Sequence, residues 1–174
     1  MKYTILFLFL MMISKISFAQ LPAIGIDVST GSFVGQPSVG FSTWTGVRYN
    51  ISQYLQTGLY TGYHQYTGIT FMNIDGLNTF DAGVYINGEF LKSPLTPVYT
   101  LRGGMQFGSI GQYASTGFGS TLELGVKLRL GDIFSVALCT GYGIVTTKVD
   151  GSGINVNADY VHPVIPVYLR LSYH

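Results

Sequence analysis

Cysteine and formal charge are both scarce in this sequence. Cys139 is the only cysteine, which excludes an internal disulfide and leaves a small residue that we expect to be inert within a strand. Asp, Glu, Lys and Arg make up 10% of the chain, whereas soluble domains carry about 25% charged residues. A chain with so few charges can cover little of a water-facing surface with them.

An excess of positive charge is also missing. The chain has nine Lys and Arg residues against eight Asp and Glu, a formal net charge of +1. Without residues 1–19, which contain Lys2 and Lys15, seven basic residues remain against eight acidic ones, a net charge of −1. There is no basic field of the kind that attracts nucleic acid, and we expect no nucleic-acid partner.

The first twenty residues, MKYTILFLFLMMISKISFAQ, have the three parts of a secretory signal peptide. Lys2 supplies the positive charge, residues 5–13 are apolar without interruption, and Ser17-Phe18-Ala19 is a small-x-small cleavage site. A transmembrane helix needs about 20 apolar residues, and Lys15 ends this run earlier. The sequence therefore predicts a signal peptide over residues 1–19, cleaved after Ala19, and one exported domain over residues 20–174.

Period-2 alternation runs through most of residues 20–174, with no helical period. We predict eight strands, at residues 22–30, 39–49, 54–66, 79–91, 98–108, 118–130, 133–147 and 159–173. The connections alternate in length: 31–38, 67–78, 109–117 and 148–158 are long, whereas 50–53, 92–97 and the two-residue turn 131–132 are short. An up-and-down meander collects the short turns at one end and the long loops at the other, as in outer-membrane barrels.

Each predicted strand has an apolar face and a polar face. In the sixth strand, Leu122, Leu124 and Leu128 alternate with Glu123 and Lys127. The same alternation is expected for a soluble lipocalin-like barrel whose apolar face points inward. However, the polar faces consist mostly of Gly, Ser, Thr, Asn and Gln, whereas water-facing strands of soluble barrels carry many more charges. We therefore expect the apolar face to meet lipid.

Aromatic residues at the ends of the apolar faces support this orientation. Phe41 and Tyr49 are eight residues apart, roughly 25 Å along a strand, which is about the height of the apolar band of a membrane barrel. Two belts of interface aromatics are predicted: Phe41, Tyr63, Phe80, Phe107, Phe118 and Tyr142 near the long loops, and Tyr49, Phe90, Tyr99, Phe134 and Tyr173 near the short turns.

Because hydrocarbon offers no hydrogen-bond partners, the sheet must close on itself. The first strand is therefore expected to pair with the eighth. Pro163 and Pro166 lack the N–H that a ladder needs, so we expect a bulge or a late start in the eighth strand.

Charged side chains fall on the predicted inward face. An eight-stranded barrel is only wide enough to be filled by side chains, and buried charges are costly unless they are paired. The sequence thus predicts a network of ion pairs and hydrogen bonds in the lumen, formed by Asp27, Arg48, Asp81, Glu89, Arg102, Glu123, Lys127, Arg129 and Arg170.

No catalytic, cofactor or metal motif is recognisable in the sequence. His64 and His162 both lie on the inward face by parity, towards the long loops, where a lipid-modifying enzyme would need a His with a Ser or carboxylate partner. Their spacing with His174 is not that of a zinc site. We expect no catalytic residue, no cofactor and no metal, and both histidines are interpreted as hydrogen-bonding residues.

Residues 20–174 resemble the small outer-membrane β-barrel proteins of Gram-negative bacteria, the OmpA/OmpX-like group. The segments that carry the resemblance are GVRYNISQYLQTGLYTGY, LTPVYTLRGGMQFG, GSTLELGVKLRL and IPVYLRLSYH. The resemblance implies an eight-stranded transmembrane barrel, inserted by the barrel-assembly machinery, which in this group reads a terminal aromatic residue. Here Tyr173 is penultimate and His174 follows.

The sequence favours a monomeric structural or surface-interaction protein of the outer membrane over an enzyme. The expected partners are outer-membrane lipid and lipopolysaccharide, contacted through loop aromatics such as Phe33, Tyr66, Phe71, Met72 and Tyr113. Three alternatives remain open: a narrow solute channel or transporter, a lipid-modifying barrel enzyme, and a soluble lipocalin-like ligand-binding barrel.

Overall fold

The computed structural model describes residues 24–35, 39–69, 74–91, 93–110, 113–150 and 158–173. These residues form eight β-strands, at Ile24–Gly35 (β1), Val39–Asn50 (β2), Leu55–Ile69 (β3), Ile74–Glu89 (β4), Leu95–Ile110 (β5), Tyr113–Leu130 (β6), Phe134–Asp150 (β7) and Ala158–Tyr173 (β8). Among the residues described, no helix is long and apolar enough to cross a membrane. The predicted signal peptide lies outside the described residues.

The strands form a closed antiparallel barrel in sequence order, with β1 paired to β8. This confirms the predicted fold class and closure. Following the paired residues once around from Gly25 leads back to β1 at Gly35, ten residues further along, through Arg48, Gly58, Tyr85, Arg102, Thr121, Gly143 and Val164. Such a stagger requires the strands to tilt by roughly 35–45° from the barrel axis.

The apolar faces of the strands point outward. Leu122, Leu124 and Leu128 are 51%, 56% and 45% exposed, whereas Glu123 and Lys127 between them are 1% and 5% exposed. A lipocalin-like barrel would show the opposite arrangement, so that alternative is wrong. The exterior is a band of aliphatic and aromatic side chains around a polar interior, which is the arrangement of a transmembrane barrel.

The predicted aromatic residues lie on this outward face. Tyr63 and Tyr99 are half-buried, and the other nine are exposed. Ring centroids are 5.2 Å apart for Tyr63 and Phe80, and 5.3 Å apart for Phe134 and Tyr173. Spacings of eight residues recur in Phe41 to Tyr49, Tyr99 to Phe107 and Phe134 to Tyr142. Their role at the membrane interface stays a prediction.

The prediction of alternating long and short connections is wrong. At one end, which we call the turn end, the strands are joined by residues 51–54, 90–94 and 131–133; at the other, the loop end, only residues 36–38, 70–73, 111–112 and 151–157 separate them. Most strands continue further towards the loop end than predicted. Polar residues such as Thr67, Asn78 and Thr116 still pair there, because pairing does not require apolar side chains once the strand has left the apolar band.

Two local predictions are also corrected. The turn between β6 and β7 has three residues, because Leu130 pairs with Phe134. Gly131 has a φ of +79°, a conformation that favours glycine. In β8, the strand starts before both prolines, and pairing with β7 is interrupted between Thr140↔Val167 and Gly143↔Val164 without a change of register. Pro163 pairs with Ile144, so of the two prolines only Pro166 lies at the gap in the ladder, and the strand has neither a bulge nor a late start.

Candidate functional site: the barrel lumen

Glu89 of β4 is the centre of an ion-pair cluster at the turn end of the lumen. Its carboxylate contacts the ammonium of Lys127 and the guanidinium of Arg129, both on β6. Gln56 of β3 adds a hydrogen bond from Nε2 to Glu89 Oε1 at 3.4 Å. Glu89 and Lys127 are buried, whereas the Arg129 side chain is 30% exposed. One carboxylate thus links three strands.

Asp27 of β1 is the second buried carboxylate in this half. Arg48 donates from Nη1 to Asp27 Oδ1 at 2.9 Å and from Nη2 to the carbonyl oxygen of Tyr173 at 3.0 Å. Tyr85 donates its hydroxyl to Asp27 Oδ2 at 2.7 Å. Because these partners come from β2, β4 and β8, the contacts fix strands on opposite sides of the barrel.

Arg170 of β8 is bound by neutral groups. Its Nη1 donates to Asn87 Oδ1 at 2.7 Å and to Thr100 Oγ1 at 2.8 Å, and its Nη2 donates to Cys139 Sγ at 2.9 Å. Thr100 in turn donates to Asn87 Oδ1 at 2.6 Å. The sequence predicted Cys139 to be an inert strand residue and did not identify this contact.

An aromatic layer fills the lumen at mid-height. Trp44, Tyr60 and Tyr85 are all buried, and their ring centroids are 5.4–6.4 Å apart. Gly46 and Gly58 make room for Tyr85, since a Cβ at these positions would lie 2.8 Å and 2.6 Å from Tyr85 Cε1. The layer separates the turn-end half of the lumen from the loop-end half.

Arg102 of β5 stacks against this layer. Its guanidinium carbon lies 5.2 Å from the Trp44 ring centroid, 5.1 Å from that of Tyr60 and 5.4 Å from that of Tyr168, distances typical of cation–π contacts. Its Nη2 donates to Glu123 Oε1 at 3.0 Å and to the Tyr168 hydroxyl at 3.1 Å. Arg102 and Glu123 are 3% and 1% exposed, so this ion pair is sealed from solvent.

The loop-end half contains His64 of β3 and Asp81 of β4. His64 Nε2 lies 3.1 Å from Asp81 Oδ2. Above them, the rings of Phe33 and Tyr66 meet edge to face with centroids 4.8 Å apart, and both side chains are buried. The expectation that Phe33 and Tyr66 contact lipopolysaccharide from loops is therefore wrong, because both lie on inward positions of strands. Phe71 and Met72, and the side chains of Tyr113 and His162, lie outside what the structure describes.

A cavity of about 30 Å³ lies between the aromatic layer and the Phe33–Tyr66 pair. Its walls include the polar side chains of His64, Asp81, Arg102 and Gln106. Several of their buried polar atoms have no hydrogen-bond partner in the protein: Asp81 Oδ1, Gln106 Oε1, Arg102 Nε, Arg102 Nη1 and, apart from its ion-pair contact with Asp81, His64 Nε2. The side chains of the nine charged residues predicted for the lumen all project towards it, but they form several separate clusters. His64 belongs to the cluster with Asp81, which the sequence did not identify. Within the described part of the chain, no group of His, Cys, Asp and Glu has the arrangement of a metal site.

The strand parity alone contained a signal for the aromatic layer. Trp44, Tyr60 and Tyr85 share the inward parity of Arg48 and Glu89, whereas the predicted aromatic belts include only residues of the apolar face. The partner of each charge was not readable in the same way, since it depends on the register between strands.

Several solved barrels are similar to this chain. Neisserial surface protein A is 16% identical over 86% of this chain and 94% of its own, with a TM-score of 0.61. The outer membrane protein OprG from Pseudomonas aeruginosa is 11% identical over 86% and 94%, with a TM-score of 0.51. The outer membrane enzyme PagL is 16% identical over 84% and 97%, also with a TM-score of 0.51.

Neither a protein-family model nor a curated protein sequence matches the chain. The neighbours nevertheless confirm the fold that the sequence predicted, since they are small outer-membrane barrels and this chain forms a closed barrel of eight strands. Because they include an enzyme as well as a surface protein, the fold does not by itself select a function.

Proposed function

We propose that this chain is an outer-membrane barrel of a Gram-negative bacterium with a structural or surface-interaction role. The observation that carries the proposal is the filled lumen. Trp44, Tyr60 and Tyr85 occupy its mid-height, and buried ion pairs lie on both sides of them. A barrel whose interior is occupied in this way offers no continuous aqueous path.

The outward surface and the ends of the strands support the same role. The apolar band suits a bilayer, and at the loop end the β3–β4 hairpin continues six residues beyond Tyr63, to Ile69. At about 3.3 Å per residue this is roughly 20 Å along the strand. Such hairpins form a surface for lipopolysaccharide and for other molecules outside the cell.

An enzymatic role of the lipid-modifying kind is not supported by the described part of the chain. His64 is buried inside the lumen beside Asp81, whereas a group that attacks lipid must be reachable from the membrane. This observation favours the structural role, and no cofactor is invoked.

Cell fractionation with heat-modifiability tests the location. The protein is expected in the detergent-extracted outer-membrane fraction, as a folded band that shifts on heating, and with an N-terminus at Gln20. A protein recovered from the periplasm without detergent would contradict the proposal.

Single-channel recording tests the closed lumen. Purified protein in a planar bilayer is expected to give no discrete conductance steps, with a porin in the same bilayer as the positive control. Reproducible steps from this chain would favour the alternative of a narrow solute channel. Light scattering of the detergent-solubilised barrel is expected to give the mass of a monomer.

A further inference from the structure

The aliphatic outer surface of β6 continues to the turn end without a break. From Leu122 to Leu130, eight residues further along, every outward side chain is aliphatic and 45–56% exposed. At about 3.3 Å per residue this is roughly 26 Å along the strand. The predicted turn-end belt of aromatic residues has no member on β6, so the apolar surface of this strand extends to the rim of the barrel.

The neighbouring strand β5 extends the same surface. Leu95 lies four residues nearer the turn end than Tyr99, the belt residue of β5, and it pairs with Leu128 of β6. The backbone N–H of Arg129 donates to the carbonyl oxygen of Pro94 at 2.8 Å. This bond holds the turn between β4 and β5 against β6, so the two turns on this side of the rim are neighbours.

Four exposed aliphatic residues of these turns and strand ends form a surface that we call the rim patch. Leu91 directly follows the belt residue Phe90, and Ile133 directly precedes Phe134, so both lie in the turns. Clustered apolar residues on a surface mark contact with a membrane or with another protein. The members of the patch are Leu91, Leu95, Leu130 and Ile133, which are 58%, 61%, 52% and 50% exposed.

The inner side of the rim favours lipid as the partner. Thr96, next to Leu95, is buried on the lumen side. Arg129, next to Leu130, contacts the carboxylate of Glu89 inside the barrel. The alternation of apolar outward and polar inward positions, which is typical of the membrane-spanning part of a barrel, therefore continues to the rim. The patch is a continuation of the lipid-facing band and has the same chemistry.

The third turn at this end has a different composition. It joins β2 to β3 and reads Ile51-Ser52-Gln53-Tyr54. The Gln53 side chain is exposed, and Ser52 Oγ accepts hydrogen bonds from the backbone N–H groups of Tyr54 at 3.1 Å and Leu55 at 3.0 Å. Because an amide side chain without a partner is costly to move out of water, the tip of this turn suits water and not acyl chains.

We propose that the rim patch is inserted among the acyl chains of the membrane leaflet at the turn end, whereas the turn between β2 and β3 reaches water. The partner of the patch is lipid, and the barrel is immersed to its rim on one side only. This inference rests on the membrane location proposed above and adds where the barrel ends relative to the leaflet.

Single-tryptophan variants test the insertion. Ile133→Trp and Leu91→Trp report on the patch, Gln53→Trp is the matched control at the polar turn, and Leu122→Trp is the mid-membrane reference, all in a Trp44→Phe background. The full barrel is refolded into phosphatidylcholine liposomes with bromine near either the carbonyl end or the methyl end of the acyl chains. Iodide is the quencher in water.

The two patch variants are expected to lose fluorescence to bromine near the carbonyl end and to be protected from iodide. Leu122→Trp is expected to lose more to bromine near the methyl end, since it lies closer to the bilayer centre. Gln53→Trp is expected to be quenched by iodide and little by either lipid. The order of quenching depths thus follows from the position of each residue along its strand.

Every other outcome overturns the proposal. Quenching of Ile133→Trp or Leu91→Trp by iodide, with Leu122→Trp still quenched by lipid, would mean that the patch projects into water although the barrel spans the membrane. Protection of a patch tryptophan from both quenchers would mean that protein covers it. Lipid quenching of Gln53→Trp as strong as that of the patch variants would mean that the whole turn end is immersed. Absence of lipid quenching for Leu122→Trp would contradict the membrane location itself.

A second series protects the test against misfolding of the Trp44→Phe background. Trp44 is 1% exposed and lies in the lumen, so it can be retained and its signal subtracted. The same substitutions at positions 53, 91, 122 and 133 are then compared with the native chain, and heat-modifiability verifies that each variant is folded. The same order of quenching is expected in both series.

Discussion

The buried carboxylates in the two halves of the lumen differ in how fully their oxygens are paired. In the turn-end half, Asp27, Glu89 and Arg170 each bind two or more partners. In the loop-end half, Asp81 and Gln106 each retain a buried acceptor without a donor. The difference shows that buried polar groups cross-link strands at the turn end, whereas at the loop end some of them face a small cavity.

The side chains of the two halves are expected to contribute differently to the stability of the barrel. Removing a partner in the turn-end half leaves a buried charge uncompensated, whereas removing an unsatisfied group in the loop-end half costs little. Substitutions in the two halves are therefore expected to differ in their effect on the free energy of unfolding, as measured by urea titration of the refolded barrel in liposomes.

The largest effect is expected for Glu89→Gln. The substitution removes the only carboxylate that Lys127 and Arg129 are seen to contact in the described structure, and it is expected to lower the free energy of unfolding by about 3–5 kcal/mol. A loss below about 1 kcal/mol, the value of an exposed pair, would mean that the cluster is solvated.

A smaller loss is expected for Asn87→Leu. This change keeps the side-chain shape but removes the oxygen that accepts from Arg170 and Thr100. Because hydrogen bonds to charged groups contribute about 1.5–3 kcal/mol, the unfolding free energy is expected to fall by a similar amount. An unchanged urea midpoint would contradict the role assigned to Asn87.

The smallest effect is expected for Gln106→Leu. The variant loses the amide of Gln106, but it also removes an acceptor that has no donor, so its unfolding free energy is expected to stay within about 1 kcal/mol of the native value. A loss as large as that of Asn87→Leu would show that the two halves do not differ in the way described.

Much of the fold was predictable because a strand in a membrane barrel has a simple period. Once Leu122 and Leu124 are taken as lipid-facing, Glu123 must point into the lumen. The same alternation within β1 and β8 places Asp27 and Arg170 in the lumen. The strand ends were less predictable, since polar residues such as Thr67 and Thr116 have the composition of a loop although they pair as strands.

The contacts inside the lumen could not be predicted from single strands. Asp27 meets Arg48 and Tyr85, which are far apart in sequence, because the stagger of the barrel sets their relative heights. The burial of Phe33 follows from the extension of β1 beyond its predicted end, whereas Tyr66 is the last residue of the predicted third strand and shares the inward parity of His64. The unsatisfied atoms of the loop-end cavity are a property of packing, which no sequence period encodes.

Quenching of tryptophan fluorescence by brominated acyl chains tests the central claim, that the apolar side chains face lipid around a polar interior. Trp44 is the single tryptophan and points into the lumen, whereas Leu122 points outward. In liposomes of brominated lipid, Leu122→Trp in a Trp44→Phe background is expected to be strongly quenched, and native Trp44 much less so. Stronger quenching of Trp44 than of the tryptophan at position 122 would contradict the account.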